Sequence, residues 1–246
     1  MPETRWDAGV RSLEFGGAPG DPAAVLVPGL GALGYLLDTW AGCAGWARSF
    51  LLDVPGFGHD RRYRCAAEIP AIAAAVQRWI DVVPGDEPVV LAGHSTGAQA
   101  ALRVAARAPD RVRALVLMGP TFPPRQRRFS GLLRGFASSA VHEPPGLQPV
   151  TVPYYARGGA VEVARFLRSA QRDEPERTIT GVRCPTLLVR GEHDAFAPAE
   201  WLDRLAAACP SPARTVTVPG AHAFPFRRGG LTSALIASAA RSAGPG

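Results

Sequence analysis

Six short apolar runs rich in β-branched residues, at 24–27, 50–53, 89–92, 114–118, 186–189 and 215–218, alternate with stretches of helical character. A strand that is apolar along its whole length must be covered on both faces, which happens when crossover helices flank a mostly parallel sheet. The alternation therefore predicts an α/β fold. Helices are expected at 69–82, 96–108, 198–208 and 231–241, with Pro109 and Pro210 stopping the second and third. Residues 10–15, ahead of the first parallel strand, are expected to add an antiparallel edge.

At 246 residues and 47% hydrophobic content the chain can bury a large core as one domain, 1–246. The alternation breaks between Gly119 and Gly181, where prolines and arginines mix with Phe122, Phe129, Leu132, Leu133, Phe136, Tyr154, Tyr155, Phe166 and Leu167. This predicts a lid inserted at about residues 121–180. An insertion at the carboxyl end of a strand lies over the crevice where open α/β sheets bind ligands, so these side chains either form the lid's own core or line a pocket.

Composition narrows the classes. The net charge of +6 is carried by arginine, since the chain has no lysine. Its one dense group, Arg125, Arg127 and Arg128, lacks the interleaved aromatics of a nucleic-acid module. It reads as a solvated lid surface, or else as a docking point for an acidic carrier protein or a phosphate-bearing acyl group such as a CoA ester. No apolar run reaches the ~20 residues of a membrane span, and residues 1–16 lack the layout of a secretion signal, so a soluble, cytoplasmic protein is expected. Cys43, Cys65, Cys184 and Cys209 are scattered, and the five histidines form no cluster at ligand spacing. Free thiols, no metal and no cofactor are expected.

The chemistry is concentrated at three strand ends. Gly93-His94-Ser95-Thr96-Gly97 joins the run 88–92 to an alanine-rich helix, the setting of a G-x-S-x-G elbow in which flanking glycines let the backbone turn sharply under an exposed serine. A serine hydroxyl is a poor nucleophile at neutral pH; it needs an imidazole as base, and the imidazole needs an acceptor that fixes its tautomer. Past the run 186–189 comes Arg190-Gly191-Glu192-His193-Asp194, and past 215–218 comes Pro219-Gly220-Ala221-His222. The order Ser95, Asp194, His222 is the one this elbow requires, with Glu192 and His193 as neighbouring rivals for the middle place.

On these motifs the chain resembles α/β-hydrolase-fold proteins, from about residue 10 to residue 240. The resemblance implies that Ser95 is the nucleophile, His222 the general base and Asp194 the orienting acid, at the last place of the G-x-x-D turn Gly191–Asp194. Some relatives carry the acid one strand earlier, but here that strand ends in Met118-Gly119-Pro120, without a carboxylate. The oxyanion hole is expected from the backbone N–H of Thr96 and, by resemblance, of Leu30 in the loop Pro28-Gly29-Leu30-Gly31. Pro28 stands where the family often has histidine, and His59 where the loop Asp53–His59 usually has a small hydroxyl residue.

One rival motif overlaps this loop. Gly29-Leu30-Gly31-Ala32-Leu33-Gly34 spells G-x-G-x-x-G after a strand, with Asp53 about 20 residues on, as in a dinucleotide site. That reading leaves Ser95, Asp194 and His222 without a role and gives pyrophosphate only a poor helix beginning near Tyr35.

The expected reaction is hydrolysis of an ester, lactone or thioester of a hydrophobic small molecule through an acyl-enzyme. Trp40, Phe57, Phe196 and Phe224, in or beside the site loops, are the candidate substrate contacts. An acyltransferase or cyclase would use the same serine with an alcohol in place of water. A receptor-like or lyase pocket, or cofactor-free haloperoxidase-like chemistry, are further readings on the same fold.

Overall fold

The computed structural model describes residues 1–18, 20–59, 64–128, 131, 135, 138–139 and 141–244. Its sheet runs in the order β1-β2-β4-β3-β5-β6-β7-β8. The strands are β1 (Glu3–Asp7), β2 (Val10–Phe15), β3 (Ala23–Val27), β4 (Arg48–Asp53), β5 (Val89–His94), β6 (Val112–Met118), β7 (Thr186–Gly191) and β8 (Ala213–Val218). β1 pairs with β2 and β2 with β4 antiparallel; every later pairing is parallel.

Alternation along the strands explains their apolar runs. Val25 and Val27 of β3, Val89 and Leu91 of β5, and Leu115 and Leu117 of β6 pack into one core cluster. Ala24 and Leu26, Val90 and Ala92, and Ala114, Val116 and Met118 pack into the other. With both faces covered, the interior of these strands is apolar, and polar residues stand only near their ends, His94 in β5 and Arg113 in β6. The first cluster is closed by α2 (Ile69–Val82) and α3 (Thr96–Arg107). On α2, Ile69, Ile72, Ala73, Val76, Trp79 and Ile80 fall at the spacing of one helical face and are buried. The second cluster is closed by α1 (Leu37–Cys43) and the C-terminal helix.

The antiparallel strand expected at 10–15 forms over those residues, but it is not the edge: β1 pairs outside it. β1 escapes a hydropathy reading because it carries Glu3, Arg5 and Asp7, and Arg5 pairs with both Asp7 and Glu14. Such charges suit an unprotected sheet edge.

Between β6 and β7 the chain forms α4 (Leu147–Gly158) and α5 (Ala160–Arg172). Neither helix was expected from the pattern; α4 holds an interior proline, Pro153. Phe122, Tyr155 and Leu167 of this segment face a cavity, while Phe166 is buried in the core. Phe129, Leu132, Leu133 and Phe136 lie outside the described residues. The longer helices that follow are α6 (Ala199–Ala208) after β7 and α7 (Gly229–Ser242) after β8; single helical turns at Pro175–Thr178 and Phe224–Arg227 precede β7 and α7. Among the described residues no helix is long and apolar enough to cross a membrane.

Candidate active site

Four loops at the carboxyl ends of β3, β5, β7 and β8 meet over the sheet, where open parallel sheets build their sites. The sharpest is at the end of β5. Ser95 has φ 56° and ψ −123°, a conformation that costs free energy for a residue with a side chain. It is held there by its N–H, which donates to Met118 O at 2.8 Å. The flanking glycines are required by contact: a Cβ at Gly93 would sit 2.4 Å from Gly97 O, and one at Gly97 would sit 2.4 Å from Val27 O. The local sequence thus pushes a partly exposed hydroxyl up from the sheet at the start of α3.

Ser95 Oγ lies 2.9 Å from His222 Nε2. His222 Nδ1 lies 3.0 Å from each Asp194 carboxylate oxygen. Since a carboxylate only accepts, Nδ1 carries the proton and Nε2 is left to accept from the serine hydroxyl. Asp194 is buried, and its Oδ1 also accepts from the N–H groups of Phe196 at 2.9 Å and Ala197 at 3.0 Å. Burial by itself would raise this carboxyl, but His222 beside it and the N–H donors outweigh burial and hold it below the usual carboxylate range. For His222, burial works against the cation, yet the charge and hydrogen bonds of Asp194, with a smaller push from Glu143, raise it above its ordinary value. The rivals for the acid position turn outward: Glu192 and His193 are exposed and lie 3.6 Å from each other.

Supporting contacts extend beyond these three residues. Arg190 donates to the carbonyls of Ala197 and Glu192, at 2.9 and 3.1 Å, and so clamps the loop carrying Asp194. His94 is buried between two partners, with Nε2 2.9 Å from His222 O and Nδ1 2.7 Å from Tyr35 Oη. A carbonyl oxygen cannot donate, so Nε2 holds the proton and Nδ1 accepts from the Tyr35 hydroxyl. Tyr35 Oη in turn accepts from Gly29 N–H at 2.7 Å. This chain of hydrogen bonds ties the loop after β3 to the loop after β8. Burial, reinforced by His222 nearby, depresses His94 to about 3, so its ring stays neutral.

In the β3 loop, Leu30 takes φ 46° and its N–H donates to Thr96 Oγ1 at 2.7 Å. The two residues expected to supply oxyanion donors are therefore adjacent, with the Leu30 amide aimed at the Thr96 side chain. Asp53, which a dinucleotide site would hold free for ribose, is buried and accepts from Arg11 and from Gly58 N–H, each at 3.0 Å. Among the described residues no group of three His, Cys, Asp or Glu side chains could hold a metal ion.

A cavity of about 280 Å³ opens onto Ser95 and His222. Its walls are apolar and aromatic: Leu30, Tyr35, Phe122, Leu147, Tyr155, Leu167 and Phe196, with Thr96, Thr121, Thr151, Gln148, Ser139 and Glu143 as polar points. Of the four aromatics expected to touch substrate, Phe196 lines this cavity, its ring 5.0 Å from that of His222. The other three do not. Trp40 is buried, its indole N–H donating to Ser49 O at 3.0 Å. Phe57 is buried against Gly31 and Gly158, and Phe224 packs edge-on to His94. Nearness in sequence to a site loop gives no information on which way a ring points. Tyr35, His94, Glu143 and Arg190 were not singled out from sequence; of these, His94 carried a signal, as an ionisable residue inside the tight turn between two glycines.

A hydrolase family model, the alpha/beta hydrolase family, matches residues 24–233. The chain belongs to this family. It is 27% identical over 183 residues to a pimeloyl-[acyl-carrier protein] methyl ester esterase of Nitrosospira multiformis, covering 62% of this chain and 69% of that protein. A protein of the same name from Xanthomonas axonopodis pv. citri is 25% identical over 205 residues, 72% of this chain and 77% of the relative. Among solved structures, an enol-lactonase from Burkholderia xenovorans superposes with a TM-score of 0.74 at 19% identity, covering 97% of this chain and all of the other. A bacterial membrane phospholipase A gives a TM-score of 0.78 at 21% identity over 99% of this chain and 86% of that one. These likenesses fix the fold and make the chain an α/β hydrolase.

Proposed function

We propose that this hydrolase cleaves esters of small, largely apolar molecules through an acyl-enzyme on Ser95. The observation that carries the reading is the unbroken hydrogen-bonded line Ser95–His222–Asp194 at the wall of an apolar cavity. His222 Nε2 takes the serine proton as Oγ attacks the carbonyl, and Asp194 stabilises the imidazolium that forms. The backbone amide of Thr96 receives the oxyanion, and the Leu30 amide joins it by exchanging its bond to Thr96 Oγ1 for one to the substrate oxygen. Because Thr96 Oγ1 already accepts from Leu30 N–H, the hydroxyl keeps its own proton available to the same oxyanion. The tetrahedral intermediate then collapses as His222 gives its proton to the leaving alkoxide. Water, deprotonated by His222, attacks the acyl-enzyme, and as the acyl–Oγ bond breaks His222 returns that proton to Ser95, releasing the carboxylic acid.

The cavity volume lies at the small end for ligand sites and suits a short acyl chain. Hydrolysis of p-nitrophenyl butanoate by the wild type, with loss of both turnover and fluorophosphonate labelling in Ser95→Ala, is the expected result. An unlabelled, inactive wild type would refute the reading.

A second reading, that the ester is presented by an acidic carrier protein, is favoured by the pocket where Arg165, Arg168 and Arg172 of α5 gather. Arg103 beside them is paired with Asp173 and Arg165 with Glu162, and Glu68 shares the lining, so Arg168 and Arg172 carry most of this reading. Two relatives bear names of esterases acting on carrier-bound esters. The arginine group first expected to serve this role divides: Arg125 and Arg128 are exposed, while Arg127 is tied to Glu176 and Phe122 O.

A further inference from the structure

The cavity's charge runs against that of the molecule. The chain is rich in arginine and carries a net +6, yet the described lining residues include no arginine and one carboxylate, Glu143. Asp194 lies behind His222 and is not part of the wall. Glu143 stands in the segment between β6 and α4, half-buried, with both oxygens turned to the backbone of the β8 loop: Ala223 N–H lies 3.1 Å from Oε1 and 3.2 Å from Oε2, and the backbone of His222 adds a weaker contribution. Among the described residues no arginine forms a salt bridge with it. Burial pushes its carboxyl up, against the smaller opposing effects of His222 and the Ala223 N–H. A charge so placed is under-solvated, and a cation entering the cavity would relieve it.

The rest of the wall suits the same guest. Tyr35, Phe122, Tyr155 and Phe196 present rings around the cavity that holds Glu143. Aromatic faces are the recurring means of binding quaternary ammonium groups, which are more weakly hydrated than a primary ammonium, and a carboxylate adds charge complementarity for either. An anionic group would meet Glu143 with His222, already paired with Asp194, as the one described lining side chain able to offset it.

We propose that Glu143 makes this site selective for esters bearing an ammonium or quaternary ammonium group, and selective against those bearing a second carboxylate. The inference rests on the esterase reading for its chemistry, but the binding preference can be measured without it.

Three p-nitrophenyl esters test it: 4-(trimethylammonio)butanoate, its uncharged isostere 5,5-dimethylhexanoate, and hydrogen glutarate. In the wild type, kcat/KM for the cationic ester is expected to exceed that for the isostere by about tenfold, with the anionic ester below both. In Glu143→Gln the cationic-to-neutral ratio should fall to near one, and in Glu143→Asp it should persist. Each ratio is read within one protein, so a loss of folded fraction does not disturb it. Calorimetric titration with butyltrimethylammonium and with pentanoate gives the same comparison without turnover. If no ester is cleaved and Ser95 is not labelled but the ammonium ion binds more tightly and Glu143→Gln abolishes this, the esterase reading fails and the selectivity stands. If esters are cleaved without regard to charge, or the preference survives in Glu143→Gln, the selectivity is overturned.

Discussion

The imidazole of His94 donates to the backbone carbonyl of His222 at 2.9 Å, so the residue before Ser95 braces the loop that carries Ser95's partner. Its ring is neutral because burial depresses it from 6.5 to about 3. A histidine depressed on folding contributes stability that is intact above 6.5 and is lost as the pH falls towards 3. At about 1.4 kcal/mol per pH unit, that loss is about 2 kcal/mol by pH 5. Replacing His94 by Phe removes the titration and both hydrogen bonds. Urea denaturation at pH 7.5 and at pH 5 should show the stability gap between wild type and His94→Phe narrowing by about 2 kcal/mol at the lower pH. A constant gap would mean that the ring is not held neutral.

Asp194→Asn should leave the fold intact while lowering kcat by about 10⁴-fold, because an amide in that place favours the wrong imidazole tautomer. The pH profile carries a second readout. In the wild type, the acid limb of kcat/KM should have its midpoint above 6.5, since Asp194 outweighs burial in raising His222. Loss of the carboxylate should move that limb to lower pH in whatever activity remains. Unchanged kinetics would assign the acid role elsewhere.

Thr96→Val is expected to lower kcat by about tenfold to a hundredfold with little change in KM, as the hydroxyl that accepts from Leu30 N–H and faces the cavity is replaced by a methyl group. Thr96→Ser should restore most of the rate. A Val variant as fast as wild type would confine the oxyanion donors to the backbone.

Gly97→Ala would place a methyl group 2.4 Å from Val27 O and 2.5 Å from Pro28 O, both backbone atoms that cannot swing aside. The elbow would have to open. Destabilisation of about 1–3 kcal/mol is expected, with loss of activity beyond what the folded fraction explains. Thermal melting and phosphonate labelling of the same sample separate the two effects.

The reach of the sequence followed burial. Strands covered on both faces carry polar residues only near their ends, so their apolar pattern stands out, and the glycines of the elbow announced a contact that no side chain could survive. Asp194 and His222 were legible because each stands just past a strand end, where a parallel sheet directs its loops to one rim. β1 was not, because an exposed edge is free to be polar. The helix α4, interrupted by Pro153, has no clear period, whereas α5 carries one in Val163, Phe166, Leu167 and Ala170 that the surrounding break in the strand–helix alternation masks; the orientation of Trp40, Phe57 and Phe224 is decided by tertiary packing. Glu143 could not be found from its neighbours in sequence; its partner, Ala223, lies 80 residues away.

Gly119, with φ 52°, ends β6 directly beneath the Asp194–His222 pair, and a Cβ there would lie 3.0 Å from both Asp194 Oδ2 and His222 Nδ1. Two strand ends therefore compete for one small volume, and only one of them can fill it. Transplanting the carboxylate from position 194 to position 119 demands that the first be vacated as the second is occupied. Any side chain added at position 119 would crowd the imidazole of His222 for as long as Asp194 stays in place.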